Sequence, residues 1–111
     1  MGVRDVRDSA VLIVDDEQAN LDLLEACLGD EGYSRLHCVR DPREVIGAYE
    51  EHRPDIVLLD LHMPYLDGFA VMGQLLERVP AGDYLPILVL TADITPEAKR
   101  KALSGGAKDF L

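Results

Sequence analysis

Three aspartates, each placed after a short aliphatic run, are the side chains of this chain best suited to chemistry. Asp15 and Asp16 follow AVLIV at 10–14, and Asp60 follows IVLL at 56–59. Both runs are too short for a helix core and rich in branched residues, so they are predicted to be buried strands. Because burying an unpaired carboxylate is costly, acids at the ends of such strands are expected at the mouth of a crevice.

Carboxylates brought into one crevice repel one another, each close pair by on the order of 4 kcal/mol at an effective dielectric near 20. A hard divalent cation would offset this repulsion, and carboxylates with retained waters form a Mg²⁺ site rather than a soft-metal site. Mg²⁺ held by few protein oxygens usually completes its shell with phosphate oxygens. The aspartates therefore indicate phosphoryl chemistry, with one of them as nucleophile and Mg²⁺ as cofactor.

The elements that must position these acids alternate along the chain in the order βαβαβαβαβ. Helical spacing follows the first run, Asp41 and Pro42 form the cap and first position of a second helix, and Pro80 closes a third. The apolar face of the third helix is predicted to contain Met72, Leu75, Leu76 and Val79. The strands are predicted at 10–14, 36–39, 56–59, 85–90 and from 107 to 111, and the helices at 17–30, from 41 to 53, before Pro80, and from 95 to 104.

Alternating units with nearly continuous aliphatic strands predict an α/β fold, a doubly wound parallel sheet with helices on both faces. In the flavodoxin-like strand order 2-1-3-4-5, ligands bind where the order reverses, between strands 1 and 3. Those strands end in Asp15, Asp16 and Asp60. Topology and charge thus predict the same place for the site.

The composition limits the partners. With 48% hydrophobic and 29% charged residues, the chain has the balance of one soluble globular domain. A net charge of −10 with scattered Lys and Arg argues against binding a nucleic acid directly. No run of about 20 apolar residues and no signal peptide is present, so neither a membrane nor a secretory location is expected, and we expect a cytoplasmic protein. Cys27 and Cys38 are predicted to be free, core-filling thiols.

The sequence resembles the receiver domains of two-component response regulators. Four motifs carry the resemblance in order and spacing: IVDDE at 13–17, LLDLHMPYLDGF at 58–69, LTAD at 90–93 and GAKDFL at 106–111. It runs from residue 10 to residue 111 and leaves 1–9 as an N-terminal extension. It implies a regulatory domain rather than an enzyme, in which Asp60 accepts a phosphoryl group from the phosphohistidine of a histidine kinase or phosphotransfer protein.

The resemblance also implies the roles of the other site residues. Asp16 and Asp60 would bind Mg²⁺ directly, Asp15 would act through water or a second contact, and the backbone carbonyl of His62 would be the third protein ligand. Thr91 matches the switch hydroxyl that hydrogen-bonds the phosphoryl oxygens. Phe110 matches the switch aromatic, which would report the state by burial alone because it has no hydroxyl. The face made by the fourth helix and fifth strand would then change its affinity for an output domain or effector beyond Leu111.

One departure from the family pattern concerns the end of the sequence. Receiver domains place a lysine two residues after the position of Leu111, and Lys108 does not match it. The fifth helix of the fold is also missing from this sequence, so we expect an incomplete domain. Apolar surface on the uncovered flank would weaken its stability and favour a dimer or other self-association.

Two alternatives remain open at this stage. A phosphatase of the haloacid-dehalogenase type also uses a strand-end Asp nucleophile with Mg²⁺, but it needs a second Asp two residues later, where this chain has His62. The second alternative is a receiver-like interaction module that is not switched by phosphorylation. A response to millimolar Mg²⁺ separates the switch from the unswitched module.

Overall fold

Five parallel strands form one sheet in the order β2-β1-β3-β4-β5, which confirms the predicted topology. The computed structural model describes residues 6–60, 68–90, 100, 103–104 and 109–110. The strands are β1 Val11–Val14, β2 Leu36–Val39, β3 Ile56–Asp60, β4 Ile87–Leu90 and β5 Asp109–Phe110.

Helices follow the strands as the periodicity predicts. They are α1 Gln18–Asp30, α2 Val45–His52 and α3 Gly68–Arg78, and short 3₁₀ turns occupy Val6–Asp8 and Pro42–Glu44. Arg100, Leu103 and Ser104 are also helical, in agreement with a fourth helix. Its predicted start at 95–97 and its predicted glycine stop at 105–106 lie outside the described residues.

Local chemistry explains both ends of the second helical segment. The Asp41 side chain accepts a hydrogen bond from the Arg43 backbone N–H at 2.9 Å, and Pro42 follows it, as the capping pattern predicts. At the other end Arg53 adopts a left-handed conformation with φ 47° and ψ 62°, and its N–H bonds back to the Tyr49 carbonyl. This C-cap ends α2 immediately before Pro54 and so starts the approach to β3.

The core lies on both faces of the sheet. On one face α2 and α3 cover the sheet, and the buried cluster comprises Leu12, Val14, Val45, Tyr49, Val57, Leu59, Val71, Met72, Leu75, Leu85, Ile87 and Val89. On the other face α1 contributes Leu21 to a smaller buried set that also contains Val11, Ile13 and Leu58. Both clusters include residues of β1 and β3, which are therefore fixed from two sides.

Two sequence predictions about individual side chains were wrong. Leu76 is 36% exposed and not part of the apolar face of α3, whose buried residues are Gly68, Val71, Met72 and Leu75. Cys27 and Cys38 are free thiols, as expected, but both are exposed rather than core-filling. In the part of the chain that the structure describes, no helix has the length and apolar character needed to cross a membrane.

Candidate functional site

Three carboxylates converge at the carboxyl ends of the two central strands. β1 and β3 pair in a register that sets Val14 beside Leu59, so the residues that follow, Asp15 and Asp60, are level at the same edge. The ligand oxygens of Asp15, Asp16 and Asp60 all lie within 4.8 Å of one another. The structure thus brings together the three aspartates that the sequence places at strand ends.

Asp15 is buried, at 3% exposure, and both of its carboxylate oxygens accept hydrogen bonds. Oδ1 accepts from the backbone N–H of Glu17 at 2.9 Å, and Oδ2 accepts from the side-chain amide of Asn20 at 3.1 Å. Asn20 lies in the first turn of α1, which begins directly after the acidic pair. These donors offset much of the cost of burying the charge.

Asp16 differs from its neighbour because described residues hold its main chain but not its carboxylate. It is half-buried, and its backbone carbonyl accepts from Nε and Nη2 of Arg40, both at 3.4 Å. Among the described residues, none donates a hydrogen bond to the Asp16 carboxylate. That carboxylate therefore keeps its oxygens available for a ligand.

The donor set fits a hard cation. All three side chains offer oxygen only, and Asp16 and Asp60 are partly exposed while Asp15 is buried. Carboxylate oxygens with room for water suit Mg²⁺, whereas soft or borderline metals take thiolate or imidazole ligands. The repulsion among close carboxylates also favours a bound cation.

The structure does not describe every residue predicted for the site. His62 and Thr91 lie outside the described residues. Phe110 lies in β5, where its backbone pairs with Val89 of β4, next to β3 in the sheet. Its side chain is outside the described part of the structure.

Sequence reasoning missed two residues that hold the acids in place. Asn20 had a local signal, since it stands on the first turn of the helix that follows Asp15 and Asp16. Arg40 had none, because its contact with Asp16 spans 24 residues and depends on how β2 pairs with β1.

The fold and the site together define a flavodoxin-like protein with an acidic crevice at its switch point. The family model of the response regulator receiver domain matches residues 11–111, so the chain belongs to this family of two-component signal-transduction proteins. The family is regulatory rather than enzymatic, and it implies phosphoacceptor signalling.

Curated relatives agree with the family. The chain is 39% identical over 107 residues to the sensory/regulatory protein RpfC of Xanthomonas campestris pv. campestris, which covers 96% of this chain and 15% of that protein. It is 42% identical over 101 residues to the response regulator MprA of Mycolicibacterium vanbaalenii, covering 91% of this chain and 42% of that protein. The chain thus spans less than half the length of these relatives.

Solved structures show the same fold. The chemotaxis protein CheY4 of Vibrio cholerae superposes with a TM-score of 0.86 at 29% identity, over 94% of this chain and 85% of that chain. A structure of the CheX-CheY-BeF₃-Mg²⁺ complex from Borrelia burgdorferi matches with a TM-score of 0.83 at 28% identity, over 93% of this chain and 76% of that chain.

Proposed function

We propose that this chain is a phosphorylation switch in which Asp60 accepts a phosphoryl group from a histidine kinase or phosphotransfer protein, with Mg²⁺ as cofactor. The observation that carries the proposal is the convergence of three carboxylates within 4.8 Å at the ends of β1 and β3. Like charges at this separation repel one another, and a bound cation offsets that repulsion.

The surroundings of the three acids support different roles. Both oxygens of Asp15 already accept hydrogen bonds, which supports a role through water or a second contact rather than as a direct ligand. In the described part of the structure no residue donates to the Asp16 carboxylate, so it would bind the metal directly. Asp60 ends β3, the strand that pairs with β1, and is half-buried. Its place in the matched family pattern supports it as nucleophile and as the second direct ligand, with the His62 carbonyl as the third protein ligand.

The reaction transfers one phosphoryl group. A carboxylate oxygen of Asp60 attacks the phosphorus, and the bond from phosphorus to the donor imidazole breaks. The products are an acyl phosphate on Asp60 and the free imidazole of the donor. When bound, Mg²⁺ neutralises charge on the transferring group. The magnesium in the Borrelia complex noted above supports the choice of metal.

The signal would then leave the site through neighbouring strands. Phosphorylation adds roughly two negative charges at Asp60. The Thr91 hydroxyl would hydrogen-bond the phosphoryl oxygens, and Phe110 would turn inward with it. Moving such a switch from mostly off to mostly on requires about 5.5 kcal/mol of differential stabilisation. The face of the fourth helix and β5 would present the change to an effector protein or output domain.

The test is phosphorylation of the purified protein by a small-molecule phosphodonor with Mg²⁺, followed by intact-mass spectrometry. We expect a mass gain of one phosphoryl group in the wild type and none in Asp60→Asn. Asp55→Asn is the matched control, because Asp55 lies just before the other end of β3, where it accepts a hydrogen bond from Ala10. It should be phosphorylated like the wild type.

Other results would reject the switch. A wild type that gains no mass, or an Asp60→Asn variant that still gains it, contradicts the proposal. Absence of both phosphorylation and a response to Mg²⁺ would indicate an unswitched interaction module. Sustained turnover of a generic phosphate ester would indicate a phosphatase.

A further inference from the structure

We propose that Arg40 is a positioning residue for the magnesium site, and that it acts by fixing the main chain of Asp16. The inference rests on the proposed function, because it concerns the same metal site. Arg40 follows directly after β2 and is exposed, so its contact with Asp16 is not explained by core packing.

Two consecutive residues at the end of β2 hold two consecutive residues at the end of β1. The backbone N–H of Asp15 donates to the Val39 carbonyl at 3.1 Å, which extends the parallel ladder by one residue beyond Val14. The next contact passes to a side chain, since Nε and Nη2 of Arg40 both donate to the Asp16 carbonyl. The planar guanidinium thus continues the ladder where the backbone no longer reaches.

Asp15 and Asp16 differ in the number of contacts that hold them. Asp15 is fixed by its main-chain N–H and by donors to both carboxylate oxygens. Arg40 is the only side chain in the described part of the structure that hydrogen-bonds Asp16. Since Asp16 is repelled by two neighbouring carboxylates, it would turn toward solvent without this contact. Arg40 therefore preorganises the open ligand of the site.

A purely electrostatic role predicts the opposite effect. If Arg40 acted only as a positive charge near the site, its removal would strengthen the binding of a divalent cation. If it acts by positioning, its removal weakens that binding despite the favourable change in charge. The sign of the change in Mg²⁺ affinity therefore separates the two roles.

The experiment is a Mg²⁺ titration of the purified protein, followed by NMR shifts of the Asp15, Asp16 and Glu17 amides. We expect Arg40→Gln to raise the Kd for Mg²⁺ by about 10-fold, the lower end of the effect of residues that orient metal ligands. Arg40→Lys should show most of the same loss, because one ammonium keeps the charge but cannot form the two-pronged contact.

Arg35→Gln is the matched control. Arg35 lies just before β2, at the opposite end from Arg40, and its Nη1 also donates to a backbone carbonyl, that of Asp8, at 3.0 Å. This variant removes the same charge and the same kind of hydrogen bond far from the acids. We expect its Kd for Mg²⁺ to stay within about twofold of the wild type, as surface changes usually have small effects.

A second measurement does not depend on metal. In metal-free protein, amide hydrogen exchange at Asp15 and Glu17 should be faster in Arg40→Gln than in the wild type, with unchanged exchange in the middle of β3. Unchanged or tighter Mg²⁺ binding by Arg40→Gln, or unchanged exchange at the two amides, overturns this inference alone. A wild type that binds no Mg²⁺ overturns the proposed function and this inference with it.

Discussion

The middles of β1 and β3 and the ends of the same strands have opposite physical characters. Leu59 is fully buried in the core that α2 and α3 cover, yet the next residue, Asp60, belongs to the acidic cluster. On β1 the change from Val14 to Asp15 is equally abrupt. The strand middles supply apolar burial, and the strand ends hold charges that repel. The core therefore stabilises the fold enough to keep an unfavourable cluster assembled for function.

Breaking the strand middle should have the largest effect. Leu59→Ala removes a fully buried side chain and leaves a cavity between the sheet and its helices. We expect the free energy of unfolding to fall by about 3 kcal/mol, within the usual range for such changes. Denaturant unfolding measures it.

The control for Leu59→Ala is Leu23→Ala on α1, where the side chain is 62% exposed. The same truncation there should change stability by less than about 0.5 kcal/mol. Equal losses at the two positions would contradict the assignment of the core.

Removing a charge at the strand ends should raise the free energy of unfolding rather than lower it. In metal-free protein, Asp16→Asn removes one charge from the cluster but keeps the backbone carbonyl that Arg40 contacts. We expect the free energy of unfolding to rise by about 1 to 2 kcal/mol, less than the full repulsion because the site is partly exposed. The gain should shrink in high salt.

Asp22→Asn on α1 is the matched control for Asp16→Asn, because Asp22 is an exposed acid outside the cluster that accepts from Gln18. Its stability should stay close to that of the wild type in denaturant unfolding. A loss of stability in metal-free Asp16→Asn would show that the acids are not held together against repulsion.

A smaller effect is expected at the helix that follows the acidic pair. Asn20→Ala removes the donor to Oδ2 of the buried Asp15 carboxylate, while alanine improves the helix itself. We expect a net loss of about 1 kcal/mol in the free energy of unfolding.

The control for Asn20→Ala is Gln18→Ala. Gln18 lies in the same first turn of α1 as Asn20, and its exposed side-chain amide donates to Asp22. Gln18→Ala should be neutral or slightly stabilising in the same unfolding assay. If both variants behaved alike, the Asn20 contact would contribute nothing to the site.

The smallest effect is a pH dependence at the edge of the sheet. Burial lowers the pKa of His37 below 6.5, and repulsion from His52 and Arg35 adds to this against an opposing effect of Glu51. The rings of His37 and His52 stack at 3.7 Å between centroids, which joins β2 to α2. His37 therefore binds a proton more readily in the unfolded chain than in the folded one. The free energy of unfolding should fall as pH decreases through 6.5 toward the lower folded pKa.

The measurement for His37 is the free energy of unfolding of the wild type and His37→Gln from about pH 7.5 to about pH 5.5. The wild type should lose more stability than the variant over this range. If the difference in the free energy of unfolding between the wild type and His37→Gln does not change with pH, the predicted contribution of His37 to the pH dependence is refuted.

Much of the fold and of the acidic cluster could be predicted because their signals are local. Asp41 and Pro42 mark a helix start by themselves, and aliphatic runs ending in acids imply strand ends once a parallel sheet is assumed. Arg40 escaped prediction because its contact depends on the register of β1 and β2. The apolar face of α3 was misjudged at Leu76, since Gly68 and Val71 set the phase of the buried stripe. Short apolar segments leave such phases undetermined by pattern alone.

The most direct test of the central claim is thermal unfolding with and without millimolar Mg²⁺, applied to the wild type, Asp16→Asn and Asp60→Asn. We expect Mg²⁺ to raise the Tm of the wild type, because a ligand that binds only the folded state stabilises it. Asp16→Asn should start from a higher Tm without metal, and both variants should gain little from Mg²⁺. A wild-type Tm that does not respond to Mg²⁺, with Asp16→Asn no more stable than the wild type, would contradict the account.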